Sequence, residues 1–414
     1  MRPVAAPGNK PRVDAKRLRA DFDALASVGG TDAGGVDRPT FSEAHLAARR
    51  WFLERAREAG LETAVDAAGN HSAILRADDA DAPTLLLGSH LDSVPDGGRY
   101  DGALGVVAAL EALRAVRDAR LRLPVTLEAI DFTDEEGTLV GLLGSEAVAG
   151  ILAPETLAAP RGGRDALVAG LARAGLEEAH LGSARRPPGS LAGYVELHIE
   201  QGPVLEEAGI PIGVVTGIVG ARSARVVFTG AAAHAGTTPM ERRRDAGVAA
   251  AAFVVGARDL VLRSHPDAVV NVGSIAFEPG AFNVVPGRAE LALEFRSLRR
   301  DELDAVEREL HALAAAQGLE VAVEHVAAWE PTPLAPEVQE AISDSARELG
   351  LATVDLPSGA GHDAQALAAA TRSGMLFVPS RGGVSHSPLE HTSWEDCVDG
   401  ANVLLGAALR LATA

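Results

Sequence analysis

Two apolar runs, Thr84-Leu85-Leu86-Leu87 and Val125 to Phe132, each end on residues that carry chemistry. The first leads into Gly88-Ser89-His90-Leu91-Asp92, the second into Thr133-Asp134-Glu135-Glu136-Gly137. Between them lie a glycine-rich loop, Asp96 to Gly102, that carries Asp101, and a helix predicted from about Gly105 to Arg117. Strand, crossover helix and strand make a βαβ unit, which requires a parallel sheet. Parallel strands finish on one edge, where open α/β sheets place their sites. An imidazole and several carboxylates are thereby gathered at one edge. Crowded carboxylates repel one another unless a cation lies among them. Bound metal, as two ions, is the economical explanation.

In His90-x-Asp92 the imidazole can bind metal through one nitrogen while Asp92 orients it or a neighbour. That tripeptide alone is common, and Asp residues in such loops often only cap a helix. Its place after a buried strand, with Asp101 on a loop able to swing back towards it, favours metal. Glu135 and Glu136 leave the backbone in different directions. One can ligate while the other stands beside a bound water as general base and later general acid. His198 closes the predicted strand Tyr194–His198, and His386 lies in Gly383-Val384-Ser385-His386-Ser387-Pro388. His71, His180, His265, His311 and His325 read as ordinary core or surface histidines.

At 414 residues the chain exceeds one ordinary domain. Being 47% hydrophobic and 23% charged, it suits a soluble protein with a sizeable core. A formal charge of -19 argues against nucleic acid or an anionic membrane as partner. No apolar stretch is long enough to suggest a membrane span, and a cytoplasmic location is expected. The single cysteine, Cys397, excludes an intrachain disulfide, and its place in an amphipathic terminal helix gives it a structural role. Met1 to Arg12 has no apolar segment of signal-peptide type and reads as a flexible tail.

Thr40-Phe41-Ser42-Glu43 reads as a capping box opening a helix that stops near Gly60. Pro154 to Gly189 reads as a helical excursion. From about Gly217 the predicted order is strand Ala224–Thr229, helix Asp245–Leu262, strands Val269–Phe277 and Ala289–Ser297, helix Asp301–Ala316 and strand Leu319–His325. That is the β-α-β-β-α-β order of a ferredoxin-like module. Signals of α/β type resume with helix Pro336–Leu349, strand Met375–Pro379 and helix Trp394–Leu411, so the module is inserted. The expected fold class is α/β, a mixed-sheet di-metal domain with an inserted ferredoxin-like βαββαβ domain. Residues 1–15 form the tail, 16–216 and 329–414 the catalytic domain, and 217–328 the insertion.

Further segments complete a pattern: Glu196-Leu197-His198-Ile199-Glu200-Gln201-Gly202-Pro203, Ala233-His234-Ala235-Gly236-Thr237-Thr238-Pro239-Met240, Phe282-Asn283-Val284-Val285-Pro286-Gly287, Gly359-Ala360-Gly361-His362-Asp363-Ala364 and Ser385-His386-Ser387-Pro388-Leu389-Glu390. With the Gly88–Gly102 and Thr133–Gly137 segments, they resemble the metallopeptidase M20 superfamily over nearly the whole chain. The likeness is to its hydantoinase/carbamoylase amidase branch, which includes N-carbamoyl-L-amino acid amidohydrolases, allantoate amidohydrolases and β-ureidopropionases.

The resemblance implies that His90, Asp101 and His198 hold one metal and that Asp101, Glu136 and His386 hold a second, Asp101 bridging. It implies that Glu135 is the base and that Asp92 supports His90. His198, where peptidase and deacylase members carry a carboxylate, points to the carbamoylase branch. The resemblance further implies that His234 stabilises an oxyanion and that Asn283 and Arg296 bind substrate, Arg296 clamping a carboxylate. Gln201, Gly361 and His362 would line the pocket. The inserted domain would act as a lid and join two copies into a homodimer. The implied cofactors are two divalent ions, zinc first, with manganese, cobalt or nickel acceptable to the same ligands. The implied substrate is a ureido or N-acyl amino acid, with carbamoyl cleavage as the activity. The other readings are an N-acyl amino acid deacylase or dipeptidase, and a non-catalytic metal- or ligand-binding homologue. Two departures fall where substrate would be read. Thr138-Leu139-Val140 stands where these relatives commonly have Ser-Arg-Phe, and Glu294-Phe295-Arg296 replaces Asp-x-Arg.

Overall fold

The strand expected at Thr84–Leu87 continues through His90 in the computed structural model, which describes residues 11–413. The expected tail lies outside the described residues as far as residue 10. Thr84–His90 pairs in parallel with Thr126–Phe132, His90 opposite Phe132, and on its other side with Leu191–Ile199. Ser373–Val378 extends the parallel set beside Leu191–Ile199, with Phe377 opposite His198. Antiparallel strands flank this centre: His71–Leu75 and Glu62–Val65 on one side, Ile212–Ile218 on the other. The sheet is therefore mixed, and its four central strands end on a common edge.

Helix Ala103–Asp118 returns the chain between two of those strands and is buried from Ala103 to Val116. Its apolar residues Val107, Leu110 and Leu113 join Leu85, Leu87, Val195, Leu197 and the terminal-helix residues Val403 and Leu404 in one core. Each such side chain contributes roughly 1.5–3 kcal/mol by leaving water. Strands buried on both faces read as continuous apolar runs, which is why they stood out in the sequence. Cys397, on helix Trp394–Leu411, is fully buried in the same core.

One local expectation is corrected. The helix after Thr40 spans Glu43–Glu58, and Ser42 is its cap, accepting the His45 N–H. Thr40 is buried and its hydroxyl goes elsewhere, as described below.

The chain divides into two compact units, the second comprising Gly217–Pro333 and Pro357–Ala360. Its four-stranded antiparallel sheet has the order Glu320–Trp329, Gly220–Thr229, Arg288–Ser297, Val269–Glu278. Helices Ala246–Ser264 and Arg300–Ala315 bury Phe253, Ala257, Leu303, Val306 and Leu310 against Val226, Phe228, Leu291 and Phe295. The strands at the two ends of the predicted module run further than the pattern suggested, starting at Gly220 and reaching Trp329. Among the described residues, no helix is long and apolar enough to cross a membrane.

Candidate metal centre

His90 is the last residue of its strand and His198 the next to last of Leu191–Ile199. The Nδ1 of His90 lies 3.0 Å from the backbone carbonyl of Asp92, and the Nδ1 of His198 lies 2.8 Å from that of Ile199. A carbonyl only accepts, so each Nδ1 donates its proton there, and each Nε2 is the nitrogen left to face the site. The Gly102 N–H, 3.2 Å from His198 Nε2, marks that nitrogen as an acceptor too. Both Nε2 atoms converge on Asp101 Oδ1, at 3.5 Å from His90 and 3.1 Å from His198. The other carboxylate oxygen of Asp101 faces His386 Nε2 at 3.5 Å, and Glu136 Oε2 lies 3.5 Å from the same nitrogen. Two donor triplets thus share one aspartate: His90, Asp101 and His198, and Asp101, Glu136 and His386. Glu135 stands outside both triplets, its Oε2 3.5 Å from His90 Nε2.

The loops are held to suit. Gly102 has φ +61°, and a Cβ there would come within 2.5 Å of the His90 ring, so only glycine lets this turn deliver Asp101. Glu390 accepts the N–H groups of Tyr100 and Asp101 at 2.8 and 3.0 Å. The Ser385 hydroxyl sits 3.0 Å from Asp101 Oδ2 and 2.9 Å from Glu390 Oε2. Gln201 donates its amide to Asp101 Oδ2 at 2.7 Å. The Asp92 carboxylate, 3.8 Å from His90 Nδ1, instead accepts the N–H groups of Glu135 and Glu136 at 3.4 and 3.2 Å. Thr40 donates to the Asp92–Asp134 pair, at 3.0 and 2.7 Å. Asp134 in turn accepts from Leu139 and Gly141, folding the loop that follows the acidic pair. Asp134, Gln201 and His386 all adopt positive φ, near +60°, +57° and +54°. Such backbone costs about 1–3 kcal/mol each and collects at functional sites.

Burial pushes Glu135 and Glu136 well above the usual carboxylate range, with Asp363 and Glu136 adding repulsion on Glu135 and Asp101 on Glu136. Burial opposes charge on His90, yet Glu135, Asp101 and Asp92 outweigh it and hold the imidazole well above its ordinary value. For Asp101, burial is overcome by His198 and His90, which hold its carboxyl well below normal. Carboxylates crowded in this way repel one another, and a cation among them would relieve that repulsion. The donor set fits divalent transition ions: imidazole Nε2 atoms already oriented by their Nδ1 bonds and carboxylate oxygens opposite them.

Among the remaining expected residues, His362 caps helix Asp363–Leu367, its ring edge-on to His198 at 4.5 Å, directly after Gly361. Burial, then the neighbouring His198, keeps it well below the ordinary histidine value, hence neutral. His234 and Asn283 are neighbours within the second unit, where Ala235 donates to the Asn283 carbonyl at 2.9 Å. Arg296, on strand Arg288–Ser297, places Nε and Nη2 on Glu294 Oε1 at 2.8 and 2.6 Å and Nη1 on the Gly359 carbonyl at 2.6 Å. Leu139 and Val140, at the departure from the usual Ser-Arg-Phe, are buried with Phe41, Leu143 and Leu167 and belong to a small core. Sequence reasoning missed Thr40, Asp134, Ser385 and Glu390. The last two lie inside the quoted Ser385–Glu390 segment, and Asp134 adjoins Glu135. Nothing local marked Thr40, which serves the site through the fold.

The profile of peptidase family M20/M25/M40 matches residues 86–410. The chain is 38% identical to the N-carbamoyl-L-amino acid amidohydrolase of Geobacillus stearothermophilus over 97% of its own length and 99% of that protein. It is 33% identical to the allantoate amidohydrolase of Bacillus subtilis strain 168, covering 97% and 99%. The crystal structure of a hydantoinase/carbamoylase family amidase from Burkholderia multivorans superposes with a TM-score of 0.89 at 36% identity, covering 98% of this chain and 100% of that one.

Proposed function

The chain belongs to peptidase family M20/M25/M40, and from that premise we propose a two-metal amidohydrolase that cleaves the carbamoyl C–N bond of an N-carbamoyl-L-amino acid or a related ureido acid such as allantoate. The observation that carries this reading is the bridging placement of Asp101, one oxygen toward His90 and His198 and the other toward His386. His90, Asp101 and His198 would hold one divalent ion and Asp101, Glu136 and His386 the other, zinc first, with manganese, cobalt or nickel accommodated. When bound, such ions lower the pKa of a water toward neutrality and polarise the substrate carbonyl.

The chain's own groups perform the proton work. Glu135, free of both triplets, takes the proton from the attacking water and hands it to the leaving nitrogen. Asp92 fixes the backbone of the acidic pair and Gln201 holds Asp101 from the substrate side. Arg296 takes the substrate carboxylate, His234 the oxyanion, and Asn283, Gly361 and His362 position the substrate. The products are an amino acid, carbon dioxide and ammonia.

A homodimer through the second unit belongs to the same reading. Strand Val269–Glu278 is an open sheet edge with Val269, Ile275 and Phe277 exposed, and open apolar edges invite pairing with a second copy. A cytoplasmic location is supported by Cys397, a lone unpaired thiol. The deciding experiment offers metal-reconstituted protein N-carbamoyl-L- and D-amino acids, allantoate, N-acyl amino acids and dipeptides, with ammonia as one readout. Ammonia from L-ureido substrates is expected. Turnover of N-acyl or dipeptide substrates alone would replace the carbamoylase reading with a deacylase or dipeptidase.

A further inference from the structure

We propose a second kind of metal site, wholly inside the second unit, formed by Glu307, His311 and His325. Glu307 and His311 lie one turn apart on helix Arg300–Ala315 and so share a face. His325 reaches the same place from the edge strand Glu320–Trp329. One donor atom from each comes within 4.8 Å of the others. His325 Nδ1 is 3.4 Å from Glu307 Oε1, and the two imidazole rings stack with centroids 6.2 Å apart.

Two further features shape this cluster. The strand register shifts between His325 and Ala327, so a β-bulge falls where His325 leaves the strand, and bulges re-aim side chains. Arg222 bonds both Glu307 and Asp304, fixing the Glu307 carboxylate through one oxygen while the other faces His325. A partner that orients a ligating carboxylate is the usual support of a metal site. With Asp304 counted, the Arg222 charge is balanced and Glu307 stays net negative. The three donors also rim a depression floored by Phe253, Leu293, Phe295 and Leu310.

Two imidazoles and one carboxylate select zinc, cobalt or nickel over magnesium or calcium, and leave a fourth position for water. An ion there ties the helix to the edge strand. Because it binds only the folded arrangement, it stabilises this unit. The site is independent of the hydrolytic centre and would stand if the substrate assignment fell.

The test uses the full chain and its variants His311→Ala and His325→Ala in equilibrium dialysis against zinc, with ion content measured per chain. The wild type should hold one ion more than either variant at zinc levels that saturate the hydrolytic centre, with affinity at the lost site down at least about 10-fold. Cobalt should give a visible band of four-coordinate type in the wild type that each single variant lacks. Turnover should be unchanged in both, which shows that they fold. Equal ion counts and identical cobalt spectra in wild type and both active variants would overturn the proposal.

Discussion

The carboxylate of Asp92 accepts the backbone N–H of Glu136 at 3.2 Å, and with it the N–H of Glu135. Asp92 therefore acts on the acidic pair more directly than on His90, whose Nδ1 is met by the Asp92 main-chain carbonyl. The Asp92→Asn variant turns an amide N–H₂ toward donors that need an acceptor. Loss of about 10–100-fold in metal affinity or activity is expected, as for other partners that orient ligands. Metal titration beside steady-state kinetics measures it, and wild-type values in both would remove Asp92 from the site.

Glu135 and Glu136 should separate cleanly. Glu135→Gln is expected to keep the wild-type ion content and lose about 10²–10⁴-fold in kcat. Glu136→Gln should lose ion content first. Elemental analysis of the purified variants distinguishes the two, and a reversed pattern would exchange their roles.

Dialysis against a strong chelator should abolish turnover and lower the midpoint of thermal unfolding, because an ion bound only to the folded chain stabilises it. Adding back zinc, manganese, cobalt or nickel in turn should restore both to different extents. A chelated protein with negligible ion that still turns over would end the metallohydrolase reading.

Much of this centre was legible because its candidate ligands follow strands that are apolar on both faces. Thr84–Leu87 and Val125–Phe132 announce themselves, and the residues after them inherit that position. Glu62–Val65 and His71–Leu75 escaped notice because they are short, and the first is an exposed edge of mixed character. Glu390 and Thr40 escaped for another reason. Each works through the backbone or carboxylate of a residue far away in sequence, as Glu390 does for Asp101, and several acceptors could have filled the first part and several donors the second. Only closure of the fold reveals such pairings.

Arg296→Lys should raise KM for substrates bearing a carboxylate by about 10–100-fold while leaving kcat nearly intact. Lysine keeps the charge but not the planar fork, and a charge-assisted hydrogen bond is worth about 1.5–3 kcal/mol. An unchanged KM would place the substrate carboxylate elsewhere.

Stability should fall on acidification before the carboxylates titrate. Burial, then the Arg49 guanidinium, pushes His71 down to about 3, and burial with Arg49 also holds His45 well below its ordinary value. Unfolded, both would titrate near pH 6.5. Below that pH the unfolded chain binds protons that the folded chain does not, so stability drops as pH falls. For His71 the drop is roughly 1.4 kcal/mol per pH unit down to its folded value. Denaturant melts from pH 8 to 4 should show a shallower slope in His71→Asn than in the wild type.

Strand Ser373–Val378 enters the sheet between Leu191–Ile199 and Ile212–Ile218, two strands made much earlier in synthesis. A chain terminated prematurely, before that strand, would carry a slot through the middle of its largest sheet, bordered by two apolar rows of unpaired N–H and C=O groups. Open borders of this kind recruit other chains. A nonsense mutation even late in the gene should therefore yield insoluble, rapidly degraded protein rather than a weakened enzyme.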